Sequence, residues 1–300
     1  MSRFYCYGMI SPSTVYVLDE GFSFPRANSY AEIGRTLPSV GGEAANSAVI
    51  LSKLGEHAVL DGTWVRKSYA PQVFGLLEPF GTDLSPVTVV DEGGTEEIVI
   101  ADGISRTVFG NYASYHSGPR QWNEPSREQI VSCDVAALDP YFRESSEAAA
   151  RICVETGTPY VTLDAKHEDY LARHAAAIAI SHELTDNAYP GCDMEALFAE
   201  YLEVCGGLVI FTFGEDDLWY GRKGGKKNSF KPFPIEPIDT TGAGDSFRGA
   251  LAYGLAKGYS DEETVRFASA VAARVCLSMP HALNGPDLDE VLAFLRDNSP

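Results

Sequence analysis

The stretch Asp239-Thr240-Thr241-Gly242-Ala243-Gly244-Asp245-Ser246-Phe247 combines a glycine-rich turn, the start of a helix and an isolated carboxylate within nine residues. Gly242 and Gly244 can adopt backbone angles that are closed to other residues, so consecutive N–H groups can converge on one anion. The residues that follow are apolar at helical spacing, and Gly258 is placed to end the helix. The stretch therefore predicts an anion-binding turn at a helix N-terminus, where the helix dipole stabilises negative charge.

The position of Asp245 directly after these glycines indicates phosphoryl transfer. A carboxylate there can take the proton of an attacking hydroxyl while the amides of Gly242, Ala243 and Gly244 hold the phosphoryl oxygens. The alternative is structural, because an aspartate or serine in a first helical turn is often only a cap. The two commonest nucleotide motifs are absent from the sequence: Phe247 replaces the third glycine of G-x-G-x-x-G, and no G-x-x-x-x-G-K-[ST] segment occurs.

A second glycine motif lies far upstream, in Gly41-Gly42-Glu43-Ala44-Ala45-Asn46-Ser47-Ala48. It opens an apolar helical pattern that ends at Leu54-Gly55. Asn46 is the polar exception near the start of this pattern, and its amide needs hydrogen-bond partners. A ligand hydroxyl can supply one, and a capping role is the alternative.

These two motifs in this order, together with the chain length and element order, resemble the ribokinase-like, or PfkB, family of carbohydrate and nucleoside kinases. The resemblance implies that Asp245 is the general base and that the amides of residues 242–245 form an anion hole. It further implies that Gly41, Gly42 and Asn46 line the acceptor site. The phosphoryl donor that it implies is ATP with Mg2+.

The same resemblance extends to the nucleotide and to a monovalent cation, for which K+ is the candidate. Asp239 matches a ligand of that cation. The residues that the resemblance associates with the nucleotide are Thr212, Gly214, Glu183 and Asn284. Glu183 corresponds only under a shifted alignment, since the family's Asn-x-x-Glu is altered here to Ser181-His182-Glu183-Leu184.

The acceptor side departs from the family pattern. Ser13 stands where an aspartate usually binds substrate hydroxyls, and a Gly-x-x-Asp-x-x-Gly signature is missing from residues 61–69. Two cations are candidates for substrate contacts, Arg106 and Arg248. Arg248 follows Asp245 by about one helical turn, so we expect it to meet an acidic group of the acceptor, with an ordinary surface ion pair as the alternative.

Composition limits the range of partners. The chain has 300 residues, 45% of them hydrophobic, and a net charge of −19, which argues against nucleic-acid and anionic-membrane partners. Its six cysteines show no C-x-x-C pairing and no histidines at metal-ligand spacing, so they are predicted to be buried thiols. Without an apolar signal core or a run of about twenty apolar residues, the sequence predicts a cytoplasmic protein.

Apolar runs at residues 4–10, 135–138, 160–163, 177–180 and 208–213 alternate with helical patterns such as 145–156, 193–205, 261–279 and 287–295. This alternation predicts an α/β fold with a doubly wound, mainly parallel sheet, in one domain spanning 1–300. Ligands are then expected at the C-terminal ends of the strands. Residues 14–37 and 87–112 are rich in β-branched and aromatic residues and predict a small antiparallel sheet. By resemblance, that sheet is a lid over the acceptor and a homodimer interface.

We therefore predict an ATP-dependent kinase that phosphorylates a hydroxyl of a small sugar or sugar derivative by in-line transfer. A nucleoside acceptor is the first alternative. A ligand-binding homologue with weak catalysis is the second. A nicotinamide oxidoreductase is disfavoured, because the acidic residues about twenty positions after the glycines, Asp261-Glu262-Glu263, are predicted to open a helix and not to follow a strand.

Overall fold

A computed structural model describes residues 1–103 and 106–298 of the chain. Its strands are β1 (Arg3–Gly8), β2 (Ser11–Leu18), β3 (Ile33–Gly41), β4 (His57–Gly62), β5 (Val65–Arg66), β6 (Val89–Val90), β7 (Glu97–Ala101), β8 (Arg106–Gly110), β9 (Val135–Leu138), β10 (Tyr160–Leu163), β11 (Ala177–Ser181), β12 (Leu208–Phe213), β13 (Asp216–Gly221) and β14 (Asn228–Phe230). Its α-helices are α1 (Glu43–Lys53), α2 (Ala70–Leu77), α3 (Tyr112–Ser117), α4 (Arg127–Ser132), α5 (Glu144–Thr156), α6 (Tyr170–His174), α7 (His182–Ala188), α8 (Met194–Val204), α9 (Ala243–Lys257), α10 (Asp261–Cys276) and α11 (Leu288–Asp297). Turns of 3-10 helix cover Glu78–Phe80 and His281–Asn284.

The main sheet of the described chain has eight strands in the order β14-β13-β12-β11-β10-β9-β1-β4. The strands from β12 to β4 pair in parallel, whereas β12, β13 and β14 pair antiparallel. Strands such as Val135–Leu138 are buried along their whole length, as expected for a sheet covered on both faces. The predicted doubly wound, mainly parallel sheet is thus confirmed.

Apolar cores lie on both faces of this sheet. Alternate residues of β1 supply them: Phe4 and Cys6 pack in one core with α1, α9 and α10, while Tyr5 and Tyr7 pack in the other with α5 and α8. Because α1 and α9 share the first core, the two glycine motifs that open these helices come to the same end of the sheet.

A separate sheet has the strand order β3-β2-β7-β8. Its outer pairings, β2 with β3 and β7 with β8, are antiparallel, and the central pairing of β2 with β7 is parallel. The predicted boundaries of 14–37 and 87–112 need correction, since this lid begins at Ser11, runs to Gly41 and resumes at Glu97. Positions 104 and 105 of the predicted lid, and the last two positions of the predicted 1–300 domain, lie outside the described residues.

Several predicted helix ends shift by a few residues. The helix predicted for 261–279 ends at Cys276, and the helix predicted from 287 begins at Leu288 because Asp287 is its N-cap, bonded to the Glu290 amide. Among the described residues, no helix is both long and apolar enough to cross a lipid bilayer.

Candidate active site

The nine-residue stretch forms the N-terminus of α9. Gly242 is the N-cap residue and has a φ of 71°, a left-handed conformation that favours glycine. The first amide of the α-helical ladder is that of Ser246, which donates to the Gly242 carbonyl at 2.9 Å. The amides of Gly244 and Asp245 precede it, as is usual for a helix start, and are the donors that an anion would meet. Upstream, the buried Asp239 fixes the turn by accepting from the Thr241 amide and hydroxyl at 2.9 and 2.6 Å.

Helix α1 packs directly against this helix start. The Asn46 Nδ2 atom donates to Asp245 Oδ2 at 2.8 Å, and the Ser47 hydroxyl donates to the Asp245 carbonyl at 2.8 Å. The close approach requires a small residue, because a Cβ on Gly249 would lie 3.0 Å from the Ser47 carbonyl oxygen. The two motifs predicted from the sequence therefore meet side chain to side chain.

The Gly41-Gly42 turn holds α1 against the end of β1. Gly42 has a φ of 97°, and a Cβ on it would lie 2.5 Å from the Met9 carbonyl oxygen. The Ala45 amide donates to that same oxygen at 3.3 Å. Glycine at position 42 thus allows the chain to turn into α1 directly beside the C-terminal end of β1.

The structure corrects the expectation for Arg248. Its side chain is 0% exposed, and it forms a buried ion pair with Asp139, the residue that follows β9. Its Nε and Nη2 atoms also donate to the Ser47 hydroxyl at 3.1 and 3.0 Å. Arg248 therefore cannot contact an acceptor and instead ties Asp139 to the α1–α9 contact.

Three carboxylates around this contact, those of Glu43, Asp139 and Asp164, were missed by sequence reasoning. Tyr141 is 37% exposed, and the partial burial of its hydroxyl together with the charges of Glu43, Asp164, Asp139 and Asp245 raises its pKa well above the usual value. Burial, followed by Asp139 and Asp245, likewise raises the pKa of Glu43. The available signal was positional, because Asp139 and Asp164 directly follow the parallel strands β9 and β10.

The lid brings further predicted residues to this end of the sheet. The Arg106 Nη1 atom donates to the Thr240 hydroxyl at 2.8 Å, beside the glycine-rich turn that precedes α9. Ser13 on β2 lies directly opposite Glu97 on β7, so both side chains point to one face of the lid. That face is turned toward Gly41, since a Cβ on Gly41 would lie 2.1 Å from Glu97 Oε1.

The candidate nucleotide residues follow neighbouring strands. Thr212 lies near the C-terminus of β12 and pairs with Ser181 on β11. Gly214 follows in a left-handed turn with a φ of 67°. Glu183 is exposed in the first turn of α7. Asn284 is apart from them, in the 3-10 turn after α10, where its Nδ2 atom donates to the Met279 carbonyl at 2.6 Å.

Asp164 joins the strands on this side of the site. Its two carboxylate oxygens accept from the amide and hydroxyl of Ser181 at 2.7 and 2.9 Å. Burial raises the pKa of Asp164, and the charges of Glu183 and Asp245 add to the effect. In the part of the chain that the structure describes, no group of three or more His, Cys, Asp or Glu side chains has the geometry of a metal site.

The geometry thus brings the glycine-rich N-terminus of α9, the Asp245 carboxylate and Arg106 of the small sheet together. A model of the pfkB family of carbohydrate kinases matches residues 4–282. The chain belongs to this pfkB family. It is accordingly a carbohydrate kinase of this family.

Relatives agree with this membership, and solved structures agree with the fold. The chain is 30% identical to the ribokinase of Bacillus subtilis over 269 residues, covering 87% of this chain and 88% of that protein. It is 22% identical to a 5-dehydro-2-deoxygluconokinase of Clostridium perfringens, covering 86% and 84%. The structure of Arabidopsis thaliana ribokinase complexed with ribose and ATP superposes with a TM-score of 0.81 at 19% identity, covering 98% and 99% of the two chains. The ribokinase-like fold is confirmed.

Proposed function

We propose that this pfkB-family kinase transfers the γ-phosphoryl group of ATP to a hydroxyl of a small sugar or sugar derivative, with Asp245 as the general base. The observation that carries the proposal is the 2.8 Å hydrogen bond from Asn46 to Asp245 Oδ2. This bond occupies one carboxylate oxygen and orients the side chain, which leaves Oδ1 to accept a proton.

In the proposed step, the acceptor oxygen forms a bond to the γ-phosphorus as the bond from phosphorus to the β,γ-bridging oxygen breaks. ADP leaves with the electron pair of the broken bond, and the hydroxyl proton passes to Asp245. The amides of Gly242, Gly244 and Asp245 would stabilise the negative charge on the transferred group, because they open α9 at the positive end of its dipole. The Ala243 amide, which the sequence assigned to the same anion hole, instead donates to the Thr240 carbonyl at 3.3 Å.

On the acceptor side, we assign Gly41, Gly42 and Asn46 to the wall contributed by α1, and Ser13 to the lid. The lid would exclude water from the reaction when both substrates are bound. Arg106 supports this arrangement, since it reaches from the lid to Thr240 beside the anion-binding turn. There its guanidinium would contact the phosphoryl group on the substrate.

On the donor side, Thr212 and Gly214 would contact the nucleotide from the end of β12, and Asn284 would lie near the purine. Mg2+ is commonly held by one or two carboxylates together with substrate phosphates, and the neighbouring carboxylates of Asp164 and Glu183 fit that donor set. When bound, Mg2+ would neutralise charge on the phosphates. Asp239, buried in the turn before α9, is our candidate ligand for K+.

We also propose that the protein forms a homodimer in which the lids of the two chains pack against each other. Ile98 and Phe109 lie opposite each other on β7 and β8, on the face of the lid that points away from Glu97. They are 44% and 49% exposed, which is unusual for large apolar side chains that neighbour each other on a sheet. Sedimentation at micromolar concentration tests the proposal, since Ile98→Glu should give monomers if the faces pair. The cytoplasmic location remains a prediction.

The test of function is an ATP-consumption assay over sugars, sugar acids, polyols and nucleosides, with Mg2+ and with or without K+. Turnover of a sugar or polyol, with phosphorylated product detected by mass, supports the proposal. Turnover confined to nucleosides would show that the acceptor is a nucleoside and not a sugar or sugar derivative. A blank panel in the presence of measurable ATP binding would favour a ligand-binding homologue.

A further inference from the structure

We propose that the preferred acceptor carries a protonated amine besides its reacting hydroxyl, as in an amino sugar or an amino polyol. The inference rests on the proposed kinase function and adds the charge of the acceptor to it. It assigns Glu43 as the residue that selects for this charge.

Helix α1 presents Glu43 to the reacting centre. Asn46 and Ser47 contact Asp245, and Glu43 precedes them by three and four positions, which places all three side chains on one face of the helix. Glu43 is half-buried and lies directly after the Gly41-Gly42 turn. An acceptor bound beside Asp245 would therefore have the Glu43 carboxylate as a close neighbour.

Basic side chains of the described protein do not balance all of the carboxylates around the reacting centre. Among the described residues, Arg248 is the one basic side chain that bonds to any of Glu43, Asp139, Asp164 and Asp245, and its partner is Asp139. Asp164 faces the nucleotide side through Ser181, where a metal ion would compensate it. Glu43 and Asp245 remain as like charges that favour a cation between them.

The lid supplies a second, independent indication. Ser13 is 1% exposed, and its hydroxyl has no hydrogen-bond partner in the described structure. It points to the same face as Glu97, whose Oε2 accepts from the Tyr112 hydroxyl, and that face is turned toward Gly41. A buried hydroxyl without a partner is costly unless a ligand completes it.

Tyr112 connects the lid side to Glu43. The Tyr112 hydroxyl donates to Glu97, and burial, Glu97 and then the charge of Glu43 raise its pKa. The acceptor pocket is thus bordered by oxygen atoms that accept hydrogen bonds, from α1 on one side and from the lid on the other.

An ammonium group matches such a lining, because it offers three donors and a positive charge. A carboxylate or phosphate on the acceptor would add a charge of the same sign, and a neutral hydroxyl would leave the carboxylates uncompensated. Burial, Asp139 and Asp245 raise the pKa of Glu43, and a bound ammonium would act on that pKa in the opposite direction because it favours the carboxylate.

The experiment compares matched acceptor pairs at pH 7.5, each a sugar or polyol and the analogue with one hydroxyl replaced by an amine. We expect kcat/KM to be at least about tenfold higher for the amine in the best pair, as for one hydrogen bond to a charged group. Glu43→Gln should bring the pair close to parity. The control Glu262→Gln removes the same charge from an exposed site in α10 and should leave the ratio unchanged.

Preference for the neutral member in every active pair, or a ratio that Glu43→Gln does not alter, would overturn the inference while leaving the kinase function intact. Loss of Mg2+ affinity in Glu43→Gln with no change in acceptor preference would also overturn it. If no pair is phosphorylated, the proposed function fails, and thermal-shift binding of the same pairs then decides the inference. A larger stabilisation by the amines, lost in Glu43→Gln, would still support it, and equal shifts would contradict it.

Discussion

The side-chain amide of Asn46 donates to Asp245 Oδ2 at 2.8 Å, although 199 positions separate the two residues in the sequence. This bond joins the helix that follows the Gly41-Gly42 turn to the helix that follows Gly242. It makes the orientation of the proposed base depend on an element that we also assign to the acceptor site. Acceptor binding and proton removal should therefore respond to the same substitution.

Asn46→Ala tests this coupling. We expect kcat to fall by about 10- to 100-fold, since a misoriented base loses part of its effect. The acceptor KM should rise, and the KM for ATP should stay within about twofold. Steady-state kinetics with each substrate varied in turn measure both. If only the KM for ATP changed, Asn46 would belong to the nucleotide site and not to the acceptor site.

Gly42→Ala tests the backbone requirement of the first motif. Alanine at this position would have to adopt a φ of 97°. Its Cβ would also lie 2.5 Å from the Met9 carbonyl oxygen. Gly55→Ala is the matched control, because Gly55 has a φ of 84° but open space around a Cβ. Urea unfolding should show Gly42→Ala to be the less stable variant by about 2 kcal/mol. Equal losses of unfolding free energy in the two variants would mean that the contact with the Met9 carbonyl does not require glycine at position 42.

Arg248→Met tests the buried ion pair. It leaves Asp139 as an uncompensated buried charge, so the free energy of unfolding should fall by about 3–5 kcal/mol. The double variant Arg248→Met/Asp139→Asn should recover most of this loss, because an amide oxygen can still accept from the Met9 amide. Arg151→Met, which breaks an exposed pair with Glu147, should cost less than about 1 kcal/mol. If the double variant lost as much unfolding free energy as the two single variants together, the account would be contradicted.

Glu43→Gln gives a prediction for the pH dependence of stability. Burial, Asp139 and Asp245 raise the pKa of Glu43 in the folded protein, so the folded state binds its proton more tightly than the unfolded state does. The free energy of unfolding should then fall as pH rises from about 4.3, the ordinary pKa of a glutamate, through the folded pKa. Glutamine removes this loss.

Urea unfolding at pH 4, 6 and 8 measures the effect. The difference between Glu43→Gln and the wild type should be smallest at pH 4 and should grow in favour of the variant as pH rises. Glu262→Gln should show no such trend. Parallel profiles for the wild type and Glu43→Gln would show that Glu43 is not held in a strained charge environment.

Much of the fold was predictable because the strands are continuous apolar runs between turn residues. The run at 135–138 became β9 with the predicted bounds, and Gly242 caps α9 as its position before a helical pattern suggests. The lid was harder to delimit. Residues 87–96 carry the same β-branched composition, but only Val89–Val90 forms a strand there, and it pairs with β5 outside the lid.

The backbone turns of the candidate site were predictable from the sequence, whereas the surroundings of its charged side chains were not. Glycine turns act locally, so Gly42 and Gly242 could be recognised from their neighbours in sequence. The environment of Arg248 depends on Asp139, which is 109 positions away, and helical spacing alone could not show that its guanidinium is buried. The carboxylates around Tyr141 come from separate strands and helices, so only the folded chain brings them together.

The most direct test of the central claim is the kinetics and ATP affinity of Asp245→Asn. The account predicts a fall in kcat of about 10²- to 10⁴-fold with the ATP dissociation constant within about threefold of the wild type, because the base is lost while the amides at the start of α9 remain. Asp289→Asn, the same change in the first turn of α11, should leave both values unchanged. A kcat for Asp245→Asn near that of the wild type would contradict the assignment of Asp245 as the general base.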